Sequence, residues 1–229
     1  MYKYLIFDLD DTVLDFTGGE VAGIEKIFSD AWGLSGTALD EAVATYQKIN
    51  HELWHQYEKD EIPRQQIFET RFPKTLAALG RTGDADQMEK DYAYLRNHNF
   101  LVVDQAKELL QELSRKYTLI AGTNGQADAQ RLRLRETGLG QYFTQIYTSE
   151  DVGYSKPDTG FYDPIFRNNP DMRSDNTLMI GDGLYSDILG GQNYQLDTAW
   201  INRRGLKAPA EIQPTYEVEK LADLYPILK

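Results

Sequence analysis

The sequence predicts an α/β fold: a Rossmann-like parallel sheet with helices on both faces, interrupted by an inserted all-helical cap. Three observations carry this prediction. Tyr2 to Phe7 is a short apolar and aromatic run ending on the acids Asp8, Asp10 and Asp11, the pattern of a buried strand. From about Gly18 to about Asn99 the apolar residues recur at helical spacing instead. After Phe100, short apolar runs alternate with amphipathic stretches, and such alternation builds a parallel sheet covered by helices.

Within the helical stretch, Val21, Ile24, Ile27 and Phe28 begin one apolar stripe. Leu39, Val43, Tyr46, Ile49 and Leu53 make another, and Ile67, Phe68, Phe72, Leu76 and Leu79 a third. No strand pattern interrupts them. The spacing then predicts a helix over 104–116, with Ala106, Leu109, Leu110 and Leu113 on one face, and a strand over 117–122. Further expected elements are a helix at 126–137, a strand at 143–148, a helix at 158–168 and a strand at 177–181. A helix at 185–193, a strand at 197–201 and a terminal helix from about 218 complete the series. The domain division that follows is a catalytic core of 1–16 and 100–229, with 17–99 as the helical cap. The insert leaves the chain at the C-terminal end of the first strand, the edge where open α/β sheets bind ligands, so the cap is expected to lie over the site.

At 229 residues the chain suits one core domain carrying an insertion. Its formal charge of -12 repels nucleic-acid backbones and anionic lipid surfaces, so neither polymeric nucleic acid nor a membrane is an expected partner. A small anion would need locally concentrated positive charge, from a metal ion, a lysine or helix N-termini. The absence of cysteine excludes disulfides and thiolate metal sites. With neither a secretory leader pattern nor a run long enough to span a bilayer, a cytoplasmic location is expected. Oligomeric state is not readable from these features.

The chemistry-bearing residues cluster at predicted strand ends. In Asp8-Leu9-Asp10-Asp11-Thr12 two carboxylates alternate around Leu9. Aimed into one crevice, they stay ionised together only with a cation between them, or one of them keeps a proton. Magnesium supplies the first condition and a general acid uses the second. A solvated acidic turn is the plainer alternative for this motif taken alone. Thr123-Asn124-Gly125 follows another strand, where a hydroxyl and exposed N–H groups make a neutral anion cradle or simply a strand-to-helix turn. Lys156, held extended by Pro157, is either a fixed charge for phosphate and crowded carboxylates or an exposed lysine before a helix. Asp182 ends a further strand, where it can join a metal shell, and Asp187 enters the next helix, where it can also serve as an ordinary N-terminal cap. All of these fall on one edge of the predicted sheet.

In order and spacing these residues resemble the motifs of the haloacid-dehalogenase-like superfamily of phosphatases: Asp8 to Thr12 its first motif, Thr123-Asn124-Gly125 its second, Lys156-Pro157 its third, Asp182 with Asp187 its fourth. The insert is similar to the superfamily's type-one cap. Leu139 to Phe143, Ser149 to Gly153 and Asn50 to Ile62 resemble the bacterial pyrimidine 5'-nucleotidase group, while Val102 to Ala106 departs from the Pro-Gly that many relatives place before the helix. The resemblance implies a magnesium-dependent phosphomonoesterase that acts through an aspartyl-phosphate, on a small phosphorylated metabolite such as a nucleoside monophosphate. Asp8 would be the nucleophile and Asp10 the acid and base; Asp8, the Asp10 carbonyl and Asp182 would hold Mg2+. Thr123, the Asn124 N–H and Lys156 would bind phosphate, and Asp187 would orient Lys156 or a water in the metal's shell.

Rival expectations are a phosphatase of phosphoglycolate or a sugar phosphate, a haloacid dehalogenase, a phosphomutase, and a silent binding protein that keeps the fold. Asp10 argues against the dehalogenase, which needs no second carboxylate to protonate an alkoxide. Asp8, Asp10 and Asp182 together argue against the silent protein. In the cap, Asn50, His51, Trp54, Tyr57 and Glu58 are candidate specificity residues, with packing of the cap's own helices as the alternative for the aromatics. Arg64 and Arg71 can reach an anion or pair with surface acids.

Overall fold

The computed structural model describes residues 1–59 and 61–228. The chain divides into two compact units, one built from Met1–Asp15 and the chain from Phe100 onward, the other from Phe16–Asn99. It begins with β1 (Tyr4–Phe7), whose Leu5, Ile6 and Phe7 are fully buried.

The helical unit comprises α1 (Phe16–Trp32), α2 (Thr37–Glu58), α3 (Arg64–Leu79) and α4 (Ala85–Asn97). Ile24 and Phe28 of α1, Val43 and Tyr46 of α2, Phe72 of α3 and Tyr92 of α4 form its core. The breaks follow local chemistry. Gly80 ends α3 in the left-handed region at φ 61, where a side chain would be strained, and Asp84 caps α4 by accepting from Gln87 N at 3.0 Å.

The rest of the chain alternates helix and strand: α5 (Ala106–Leu113), β2 (Thr118–Thr123), α6 (Ala127–Glu136), β3 (Gln145–Thr148), α7 (Ser149–Val152), α8 (Asp163–Asn168), β4 (Thr177–Gly181), α9 (Leu189–Asn193), β5 (Asp197–Ile201) and β6 (Tyr216–Val218). Among the described residues, six strands form one parallel sheet in the order β3-β2-β1-β4-β5-β6. Leu5 and Phe7 point to one face with Leu109, Leu110 and Leu113 of α5 and Leu134 of α6. Ile6 points to the other, with Phe161, Tyr162 and Ile165. This alternation, with helices covering both faces, is what a buried parallel sheet demands. β1 lies between β2 and β4, Phe7 opposite Ala121 and Ile180. The strand order reverses there, and a crevice opens past the C-terminal ends at such a switch point.

Three expected elements differ. The terminal helix expected from about 218 is instead β6 followed by a 3-10 turn at Leu221–Leu224: Val218 pairs with Ile201, and Leu221, Leu224 and Leu228 reach the core without a regular helix. The helix expected at 158–168 is a 3-10 turn at Thr159–Phe161 ahead of α8. The one expected at 185–193 opens as a π-helical turn, Leu184–Ile188, before α9. Among the described residues no helix is long and apolar enough to cross a membrane.

Candidate active site

Asp8 follows β1 directly, and its N–H donates to Ile180 O at 2.9 Å, extending the ladder with β4 by one bond. The chain then reverses. Asp11 adopts φ 58, a left-handed conformation that Asp tolerates better than most residues, and the N–H groups of Thr12, Val13 and Leu14 converge on Leu9 O. This turn fixes Asp10 and Thr12 beside the strand end. Thr12 Oγ1 accepts from Asp182 N at 3.1 Å, which joins the turn to the residue that follows β4. Trp200 Nε1 donates to Asp182 O at 2.9 Å and anchors that residue from β5.

Asp8, Asp182 and Asp187 each offer a carboxylate oxygen, and these oxygens lie within 4.8 Å of one another. Lys156 is buried among them, not exposed as a lysine before a helix would be: its Nζ donates to Asp8 Oδ1 at 2.8 Å, to Asp187 Oδ1 at 2.6 Å and to Gly122 O at 2.6 Å. All three ammonium protons therefore have acceptors. Asp187, also buried, takes a further bond from Gly183 N at 2.9 Å, so capping its own turn and holding the lysine are done by one carboxylate. Gly181 makes room for it, since a Cβ at that position would overlap the Asp187 carboxylate.

Three carboxyl groups facing one ammonium leave an excess of negative charge. Burial pushes the Asp8 carboxyl up to about 7, with Lys156 pulling it back and Asp187 and Asp10 adding to the rise. Burial also raises Asp182 well above the usual carboxylate range, and Asp8, Asp11 and Asp187 reinforce the shift. Lys156 moves the other way from a buried lysine alone: burial opposes its charge, but Asp187 and Asp8 outweigh it and hold it protonated. An all-oxygen donor set with surplus negative charge fits a hard divalent cation such as magnesium.

The Asn124 side chain holds the Lys156 backbone. Its Nδ2 donates to Lys156 O and its Oδ1 accepts from Lys156 N, both at 2.9 Å, a two-point strap that fixes the lysine's backbone. The Lys156–Pro157 peptide bond is cis. Thr123, buried at the end of β2, accepts from Gly125 N at 2.9 Å. The Asp10 side chain lies outside the three-carboxylate group and turns toward α6, where Gln130 Nε2 donates to its Oδ2 at 2.6 Å and Arg133 pairs with its Oδ1. Neither Gln130 nor Arg133 stood out in the sequence.

The candidate specificity residues are distributed within the helical unit. Asn50 is buried, donating to Glu20 at 2.8 Å and accepting from Arg71, which is itself buried and pairs with Glu89. Surface pairing is thus corrected for Arg71: it is part of that unit's interior. Trp54 packs edge-on against Tyr57 and Phe68, with Arg64 over its ring. His51 is exposed. The Glu58 side chain lies outside the described residues.

Residues 5–201 match the family model of haloacid dehalogenase-like hydrolases. The chain belongs to this family. It is 36% identical over 227 residues to the HAD-hydrolase YfnB of Bacillus subtilis (strain 168), covering 99% of this chain and 95% of YfnB. A crystal structure of YfnB bound to magnesium, which reveals interdomain movement in that protein, superposes with a TM-score of 0.92 and covers 100% of this chain and 99% of that one. Pyrimidine 5'-nucleotidase PynA of Streptococcus pneumoniae (strain ATCC BAA-255 / R6) is 36% identical over 225 residues, 97% of this chain and 93% of PynA. Pyrimidine 5'-nucleotidase YjjG of Escherichia coli (strain K12) is 31% identical over 229 residues, 99% of this chain and 98% of YjjG.

Proposed function

We propose that this hydrolase is a magnesium-dependent phosphomonoesterase that uses Asp8 as nucleophile, with pyrimidine nucleoside monophosphates as its substrates. The observation that carries the reading is the convergence of Asp8, Lys156 and Asp182 past the C-terminal ends of the central strands. The substrate class rests on the two pyrimidine 5'-nucleotidases that resemble this chain over nearly its whole length.

In this mechanism the Asp8 carboxylate attacks phosphorus and the bond to the ester oxygen breaks as Asp10 delivers a proton to that oxygen. Water then attacks phosphorus, gives its proton to Asp10, and the bond to Asp8 breaks. Asp8, Asp182 and the backbone carbonyl of Asp10 would hold magnesium, which would supply charge neutralisation for the approach of one anion to another. Lys156 stays charged, keeps Asp8 aimed through their 2.8 Å bond, and draws a phosphate oxygen. Asp187 and the Asn124 strap hold Lys156 from two sides. Thr123 offers its hydroxyl to the phosphate. Within the helical unit, Asn50, His51, Trp54 and Tyr57 are the residues proposed to select the nucleoside.

Phosphate release from a panel of nucleoside monophosphates, sugar phosphates and phosphoglycolate, with and without magnesium, tests this function. Magnesium-dependent turnover with pyrimidine nucleotides preferred is expected. Far better turnover of sugar phosphates would remove the nucleotidase assignment, and no release from any ester would remove the phosphatase.

A further inference from the structure

Gln130 and Arg133 stand one turn apart on α6, on the same helix face, and both are 2% exposed. Each spends a donor on the Asp10 carboxylate: Gln130 Nε2 reaches Oδ2 at 2.6 Å, and the Arg133 guanidinium pairs with Oδ1. The Gln130 amide also lies 3.3 Å from Thr123 Oγ1, so it touches the hydroxyl that ends β2 as well. Gly125 is matched to this arrangement, because a Cβ there would overlap the Gln130 amide. Burying an amide and a guanidinium is costly unless their partners are well placed, and an interior helix face would ordinarily be filled with apolar side chains. Here both polar groups converge on a carboxylate that the Asp11 turn sets two residues beyond Asp8.

We propose that Gln130 and Arg133 are positioning residues for the proton-transfer steps, gripping the Asp10 carboxyl by its two oxygens so that it is aimed at the ester oxygen and then at water. The terminal torsion of an aspartate is broad, and without both grips the carboxyl turns freely. Correct aim is worth orders of magnitude in rate. The inference rests on the reading of Asp8 as nucleophile and Asp10 as acid and base. It adds no new chemistry: the proton that Asp10 gives to the departing oxygen is the one it recovers from water.

The test compares kcat/KM, which reports chemistry only through phosphorylation of Asp8, for an alkyl ester and an aryl ester. A nucleoside leaves as an alkoxide and needs the proton; p-nitrophenolate departs without one. Arg133→Met is expected to lower kcat/KM for a pyrimidine nucleoside monophosphate by about 10- to 100-fold, and for p-nitrophenyl phosphate by far less. Gln130→Leu should act in the same direction, and Arg133→Lys should restore part of the loss. If Arg133→Met does not fold, Gln130→Leu carries the same comparison. Equal losses on both esters would overturn the inference. Asp10→Asn separates acid–base catalysis from positioning. If that variant fails to discriminate between the esters, the acid–base reading fails. If it discriminates and the Arg133 and Gln130 variants do not, only the positioning role fails.

Discussion

The ammonium of Lys156 donates to Oδ1 of Asp8 across 2.8 Å, with the lysine side chain 1% exposed and the aspartate 11%. The same ammonium holds Asp187, so removing it strands two carboxylates at once. Breaking a buried pair from one side costs more than the pair itself contributes. Lys156→Met is expected to lose about 3–5 kcal/mol of stability at neutral pH without magnesium, as read from urea unfolding. The loss should shrink in acid, where the carboxyls take up protons.

A pH dependence follows from Asp8 and Asp182. Both are raised in the folded protein, Asp8 from 3.8 to about 7, so the native state holds these protons more tightly than the unfolded chain does. Their contribution to stability is fully present below the unfolded value and disappears as pH climbs through the folded one. The metal-free melting temperature should therefore fall between roughly pH 4 and roughly pH 7. Magnesium replaces the lost protons, so the rise in melting temperature that it produces should be larger near roughly pH 8 than near roughly pH 5. An equal rise at both would place the cation elsewhere.

Gly181→Ala tests the crowding behind the site. The new Cβ overlaps the Asp187 carboxylate, which must swing away from Lys156 and Gly183 N. A loss of about 1–3 kcal/mol is expected from the forced shift, with a drop in kcat that added magnesium does not repair. Thermal unfolding and steady-state kinetics on one preparation check both parts.

Asp10→Asn removes a transferable proton while keeping the size of the side chain. Turnover of a nucleoside monophosphate should fall by about 100- to 10,000-fold. Magnesium affinity, measured by calorimetry, should change little, since only the backbone carbonyl of Asp10 is assigned to the metal.

Two strands were legible because apolar residues fill them up to a clear boundary: Thr177–Gly181 and Asp197–Ile201 have the bounds that the sequence predicts. β6 was not, because three residues at a sheet edge carry too little pattern, and the apolar spacing of Leu221, Leu224 and Leu228 imitates a helix. Asp8 and Asp182 could be picked out because acids at strand ends are conspicuous, and Asp187 because it enters the helix that follows. The burial of Lys156 could not, because it depends on partners on separate strands and turns. Gln130 and Arg133 carry no local signal, and only the fold brings them to a residue 120 and 123 positions away. Arg71 did leave a signal: it follows Ile67 by four residues and precedes Thr75 by four, on the buried stripe of α3.

Attack of Asp8 on phosphorus is checked by acid-quenching the enzyme during turnover of a radiolabelled nucleoside monophosphate with magnesium and mapping the protein-bound phosphate. Label on the peptide containing Asp8, lost together with phosphate release in Asp8→Asn, is the predicted result. Label on a different residue, or phosphate release that survives Asp8→Asn, would contradict it.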